Sequence, residues 1–391
     1  MASRPLDVAP AGPVGLPDAG LGRGWEPVAV VLLTLLLLAF GLVTLYSASS
    51  VLALRQGLPD TYFALRQAGG ALLGMGFLTV CALIPYRRWA RWAWPFMWVS
   101  FALLLIIVLP GTEAIAPEVN GARRWLRIGI SLQPSELAKV ALIVWTAAIA
   151  VKKQEHFRSL TSGLGPFFVI WTLLILPVIL QPNLSTALIM AALGLLIVFA
   201  AGARVAHFLF LGLLAVPLVR EQLDVGFRAE RVAAFLDPAS DPAGAGFQLQ
   251  QSLVALGSGG PTGVGFGEGR QKFGFLPEAH NDFIFAMIGE EWGLVGVALL
   301  VATYLALILV GFRIAARAPD LFGELLAVGI TSLVALQALL HMGVGLGLLP
   351  TTGVALPLFS YGRSGLLATL AALGILVAVA RAEPGERWAR G

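Results

Sequence analysis

Charge and cysteine are what this sequence has least of. Lys, Arg, Asp and Glu together supply 12% of its 391 residues, against roughly 25% in a soluble domain, which excludes an ordinary water-soluble globule. The single cysteine, Cys81, lies inside an apolar run, so an intramolecular disulfide and a cysteine metal site are both excluded. The four histidines, His156, His207, His280 and His341, have no ligand spacing, and HExxH, GxSxG and GxxxxGK(S/T) are all absent. The run GVGFGEG at 263–269 has fingerprint-like glycines but no βαβ unit around it, so those glycines read as sharp turns near a membrane surface. A formal charge of +4 on so apolar a chain gives no reason to expect a nucleic-acid partner, and none is expected.

What the chain has instead is hydrocarbon. Hydrophobic residues make up 58% of it and the mean hydropathy is +0.85, arranged in repeated runs of about 20 residues, the length that crosses a bilayer core as a helix. A β-barrel would show alternating ten-residue segments. The expected fold is therefore an all-α integral membrane protein of ten spans: 27–48, 65–85, 92–110, 135–151, 164–181, 184–201, 205–219, 283–312, 322–348 and 356–380. Residues 1–24, rich in Pro, Gly and Ala without a signal-peptide pattern, read as a disordered cytoplasmic tail. Residues 25–381 form the membrane domain, with a large extracytoplasmic loop at 220–280, and 382–391 a second cytoplasmic tail. With the N-terminus inside, Arg87, Arg88, Arg91, Lys152, Lys153, Arg158, Arg204, Arg313 and Arg317 fall on inner loops, the positive-inside pattern.

Two outer segments carry cations against that rule. NGARRWLRIG (120–129) holds Arg123, Arg124 and Arg127, and the long loop holds Arg220, Arg228, Arg231, Arg270 and Lys272. Guanidinium forks there suit the diphosphate of an anionic lipid headgroup, or serve as ordinary interfacial anchors.

The stretch LPEAHNDFIF (276–285) places Glu278, His280 and Asp282 where polar loop meets apolar span. Pro277 and the residues after it read as a helix start, with Asp282 in the first turns, where the positive helix end stabilises a carboxylate as a cap or a catalyst. On a helical wheel Glu290 lies about 80° and Glu291 about 180° from Asp282, so these two acids have separate roles. In QPSELAK, Glu136 and Lys139 are spaced for an i,i+3 ion pair, structural or lining the same polar interior. An acid beside phosphate-holding cations suits either proton abstraction from a hydroxyl on a lipid-linked substrate or an ion-coupled carrier.

At these residues the chain resembles the SEDS family of cell-wall glycosyltransferases. The resemblance is carried by NGARRWL (120–126), QPSELAK (133–139), DPAGAGFQLQQSLVALGSGG (241–260), GRQKFGFLPEAHNDFIFAMIGEEWG (269–293) and GLLPTTGVALPLFSYG (347–362), and PEAHNDFIFAMIGEE is closer to the division branch, FtsW, than to the elongation branch, RodA. It implies polymerisation of lipid II into β-1,4 glycan strands at the outer face of the bacterial cytoplasmic membrane, by inversion at the donor sugar with undecaprenyl diphosphate leaving. It places the catalytic base on Asp282 and substrate contacts on Arg124, Glu136 and Lys139, with Glu278, His280, Lys272, Ser360 and Arg363 as further candidate substrate-binding residues. It also implies a divalent cation, magnesium or manganese, as an aid, a class B penicillin-binding transpeptidase as partner, and other divisome membrane proteins. The rival readings are a lipid II flippase and a non-enzymatic scaffold that activates the transpeptidase. Five positions depart from the family pattern: QPNLSTA carries Asn183 and Ser185 for Asp and Gly, Asn281 replaces a threonine, His341 stands where asparagine is common, and GRSG puts Arg363 in place of glycine.

Overall fold

The computed structural model of the chain describes residues 24–119, 121–157, 163–223, 226–238, 241 and 244–382. The two tails expected at 1–24 and 382–391 lie outside these residues but for Gly24 and Ala382. Three helices lead off, α1 (Glu26–Arg55), α2 (Tyr62–Leu83) and α3 (Arg87–Val108), followed by a hairpin of β1 (Leu126–Ile128) and β2 (Ile130–Leu132). The hairpin is antiparallel, with Leu126 opposite Leu132. Next come α4 (Pro134–Lys153), α5 (Gly165–Leu180), α6 (Leu184–Ala200), α7 (Val205–Leu223), α8 (Gly226–Leu236) and α9 (Ala245–Gly259). The chain closes with α10 (Ile284–Ala316), α11 (Leu321–Gly345) and α12 (Arg363–Ala380).

Among the described helices seven, α1–α4 and α10–α12, are long and apolar enough to cross a membrane, while α5 and α6 are shorter apolar helices. The expected span 205–219 falls on α7. The protein is thus a multi-pass, almost wholly helical membrane protein, the form that lets each segment satisfy its own backbone hydrogen bonds in hydrocarbon.

Ion pairs record how the helices are laid together. Glu26, at the start of α1, accepts from Arg313 Nε at 3.1 Å and Arg317 Nη1 at 3.0 Å, at the end of α10. Asp320, which caps α11 by accepting from Gly323 N at 2.9 Å, pairs with Arg87 Nε at 3.0 Å. These basic loops share one end of the molecule; the hairpin and the 260–283 and 351–362 segments share the other. Lipid tails are as apolar as leucine, so close packing holds such helices together. Accordingly α12 lies in contact with α2 where glycine removes the side chain: Gly74 faces Leu370, and Gly374 faces the Leu78 carbonyl. The central helix is α4, buried without interruption from Ala138 to Ala148.

Three expectations change. The eighth span is broken at Gly293, whose φ of 64° and ψ of −160° are not helical; only glycine takes that conformation without strain. Into the break comes the 260–263 backbone, with Leu294 N donating to the Gly260 carbonyl at 2.9 Å and Val295 N to that of Pro261 at 3.1 Å. The last span starts at Arg363 and not at 356, because Leu358 has a φ of 69°, outside the helical region, and 351–356 runs without helix or ladder. The 220–280 stretch, read as a loop, folds α8 and α9, and α9 packs on α10 with Gly259 against the Gly289 carbonyl.

Candidate active site

Asp282 sits in a tight turn that precedes α10. The helix begins at Ile284, so the wheel relating Asp282 to Glu290 and Glu291 does not apply. The turn is made by the Glu278 carbonyl, which accepts from Asn281 N and Asp282 N, both at 2.9 Å. Glu278 itself has a φ of 52°, a left-handed conformation that costs a non-glycine residue on the order of 1 kcal/mol and that recurs at functional sites. A second segment clamps the turn: Ser360 Oγ donates to the Asn281 carbonyl at 2.7 Å and accepts from Leu356 N at 2.9 Å. Tyr361 N donates to the His280 carbonyl at 3.1 Å.

Across from this turn the residues around the hairpin and α4 supply cations. Arg124 Nε donates to the Gln181 carbonyl at 3.2 Å and Nη2 to that of Pro182, tying the segment before β1 to the α5–α6 turn. Lys139, 2% exposed, pairs with Glu136 Oε1 at 2.9 Å, which completes the i,i+3 spacing read from QPSELAK. Between these walls lies a cleft of about 750 Å³, within the size range of sites that enclose a drug-sized ligand. Arg124, Glu136, Lys139, Arg231, Glu278 and Asp282 line it.

The cleft tunes its acid. Burial, with a lesser push from the Glu278 charge, raises the Asp282 carboxyl to about 7, against the opposing pull of Arg231 and Arg124. A carboxyl poised there is a far better proton acceptor at neutral pH than an ordinary aspartate.

Of the residues singled out from sequence, Asp282, Glu278, Arg124, Glu136, Lys139 and Ser360 meet in this cleft. Three others do not line it. His280 is buried, its ring packed on Phe63 and Tyr361 at centroid distances of 5.4 and 5.9 Å. Lys272 points into the protein, where Nζ pairs with Glu291 Oε1 at 3.1 Å and donates to Ser47 Oγ at 2.9 Å. Arg363 lays its stem on α2, with Cγ 3.2 Å from where a Cβ on Gly70 would stand. Sequence reasoning did not single Arg231 out from the other loop cations, and it missed Gln337. Arg231 was one cation among five in a long loop until α8 formed; Gln337, which lines the cleft from α11, had a signal as an amide inside an apolar run.

Among the described residues no group of three or more His, Cys, Asp and Glu could hold a metal ion, and the two carboxylates of the turn face the guanidinium groups of Arg124 and Arg231 in the same cleft.

Residues 28–384 match the FtsW/RodA/SpoVE family, described as "Cell cycle protein". A Geobacter metallireducens protein named "Probable peptidoglycan glycosyltransferase FtsW" is 44% identical over 354 residues, 90% of this chain and 94% of that one. Among solved structures, a chain of a peptidoglycan synthase complex that coordinates polymerization and crosslinking aligns with a TM-score of 0.76 and 31% identity, over 92% of this chain and 98% of that one. The Thermus thermophilus rod shape determining protein RodA aligns with a TM-score of 0.66 and 30% identity, over 92% and 97%.

Proposed function

The chain belongs to the FtsW/RodA/SpoVE family of cell cycle proteins and is a peptidoglycan glycosyltransferase of its FtsW branch, and on that premise we propose that its cleft polymerises lipid II with Asp282 as the base. The reaction lies at the outer face of the bacterial cytoplasmic membrane, with both termini on the cytoplasmic side and a class B penicillin-binding transpeptidase as partner. The observation that carries this reading is the Asp282 carboxyl, raised to about 7 in a cleft that it shares with Arg124 and Arg231.

Asp282 takes the proton of the acceptor sugar's 4-hydroxyl as that oxygen forms its bond to the donor's C1. The bond from C1 to the diphosphate breaks on the opposite face, so the α-linked donor becomes a β-linked product. The diphosphate departs with the electron pair, and the guanidinium groups stabilise its charge. A flippase would keep its coupling group near the bilayer midplane, whereas Asp282 precedes the first turn of α10.

The test is purified chain with its transpeptidase partner and labelled lipid II, scored for glycan strands and separately for lipid II translocation in vesicles. Strands without translocation support the polymerase; translocation without strands overturns it. In the same assay Arg124→Ala is expected to lower kcat/KM by roughly 10–100-fold, the loss of one or two charge-assisted hydrogen bonds. Arg127→Ala, an exposed β1 residue outside the cleft, is expected to stay within about twofold. Equal losses would mean that generic surface charge binds the substrate. Arg363→Gly is expected to leave KM for lipid II within about twofold, since its side chain packs on α2; a KM raised about tenfold would place it in the substrate path.

A further inference from the structure

The wall of the cleft facing Asp282 is the 351–362 segment, whose nearest part buries Val354 and Leu356 in the core. Gly353 is the point of approach: a Cβ there would stand 4.0 Å from Asp282 Oδ2. Residues 351–356 form neither helix nor strand. Further along, the segment is anchored by Tyr304 of α10, which donates to the Pro357 carbonyl, and by Gln67 Nε2 of α2, which donates to the Ser360 carbonyl at 3.0 Å. At the Gly353–Val354 end the anchor is His341 of α11, whose Nδ1–H donates to the Val354 carbonyl at 2.8 Å. The imidazole is 1% exposed and its Nε2 is buried without a partner. A carbonyl only accepts, so the proton is on Nδ1, and the buried Nε2 is left as an unpaired acceptor. Leaving such an atom unsatisfied costs on the order of 1 kcal/mol or more, so packing alone would be better served by leucine. What the ring provides in return is the bond to Val354.

We infer that His341 is a positioning residue for the transfer reaction: its bond to Val354 holds the Gly353–Val354 wall against the catalytic turn. The inference rests on Asp282 being the base. Groups that face Asp282 with charge are Glu278 in its own turn, Arg231 on α8 and Arg124 before β1; from the 353–361 wall the titratable side chain lining the cleft is Tyr361. With the wall released, the half-buried carboxyl is more fully hydrated and its raised affinity for a proton relaxes toward that of an ordinary aspartate. Asparagine places its amide Nδ2 on Cγ, as imidazole places Nδ1, so it can make the same bond, with Oδ1 as the unpaired acceptor in place of Nε2.

The experiment is the rate of glycan formation by purified His341→Asn, His341→Leu, His341→Met and Asp282→Asn proteins, each with the transpeptidase partner, measured against lipid II concentration and pH. The Asn variant is expected to keep kcat within about twofold. The apolar variants are expected to lose kcat by roughly 10–100-fold, the scale of a misplacement of about 1 Å in a reacting geometry, with KM little changed and the acid limb of kcat/KM moved to lower pH. Apolar variants with wild-type kcat and an unmoved acid limb overturn the positioning role. Should neither apolar variant insert, the Asn variant decides: a loss of tenfold or more in a stably inserted protein overturns it, and retention upholds it. An active Asp282→Asn protein sinks the base assignment instead, so the two failures are separable.

Discussion

Asp282→Asn is expected to abolish glycan synthesis, by at least about a thousandfold, while insertion, heat stability and partner binding survive. General-base catalysis contributes up to about 10⁴-fold, and the amide keeps the shape of the carboxyl but cannot take a proton. The wild-type protein should show kcat/KM rising with pH through about 7, because the carboxyl raised to about 7 must lose its proton before it can accept another. The same shift makes a stability statement of known sign. The group binds its proton more tightly in the folded protein than unfolded, so folding is favoured at low pH, and that contribution is lost as pH rises from the unfolded value near 4 through about 7. Above pH 7 the native protein holds an ionised carboxyl in a poorly hydrated cleft, so Asp282→Asn should melt no lower than wild type at pH 8 in detergent. A variant that stays active would remove Asp282 as the base, and an acid limb that persists in it would belong to another group; one that melts well below wild type would make its inactivity uninformative, and Asp282→Ser would then replace it.

Lys272→Met is expected to have the largest effect on stability. Glu291 is 2% exposed, its Oε1 is shared between Lys272 and Ser47, and its Oε2 already lacks a partner. Removing the lysine leaves a buried carboxylate with one hydroxyl, a change that typically costs about 3–5 kcal/mol. The damage should spread, because Lys272 belongs to the strap that is stitched onto the first half of α10: Glu290 accepts from Arg270 N at 2.8 Å, and Val264 N donates to the Glu290 carbonyl at 2.9 Å. That strap runs into the turn of Asp282. The expected result is a sharp fall in detergent melting temperature and in monodisperse protein, with most of it recovered by Lys272→Met/Glu291→Leu, which removes both charges together. A well-folded Lys272→Met protein whose only defect is a raised KM for lipid II would return Lys272 to the substrate site.

The sequence by itself determined the class of the protein and singled out the acid proposed as its base. Hydrocarbon allows no unpaired backbone, so the placement of a span is largely a local property, readable as apolar length; the helices α1 to α4 fall where those runs lie. The i,i+3 pair of Glu136 and Lys139 was legible for the same reason, being set by one helix. Motif spelling placed Asp282, Arg124 and Ser360 among the site residues, and all three line the cleft. Only the tertiary structure decided what each remaining charge meets. Lys272 and Arg270 are two apart in one loop, yet one is buried against Glu291 of α10 and the other lends its backbone N–H to Glu290. Arg231 entered the cleft because α8 folds beside it, His341 met Val354 because the chain doubles back after α11, and α10 broke at Gly293 because the 260–263 backbone needs that space. The partner of a buried charge depends on which distant segments are brought together, and no local pattern carries that information.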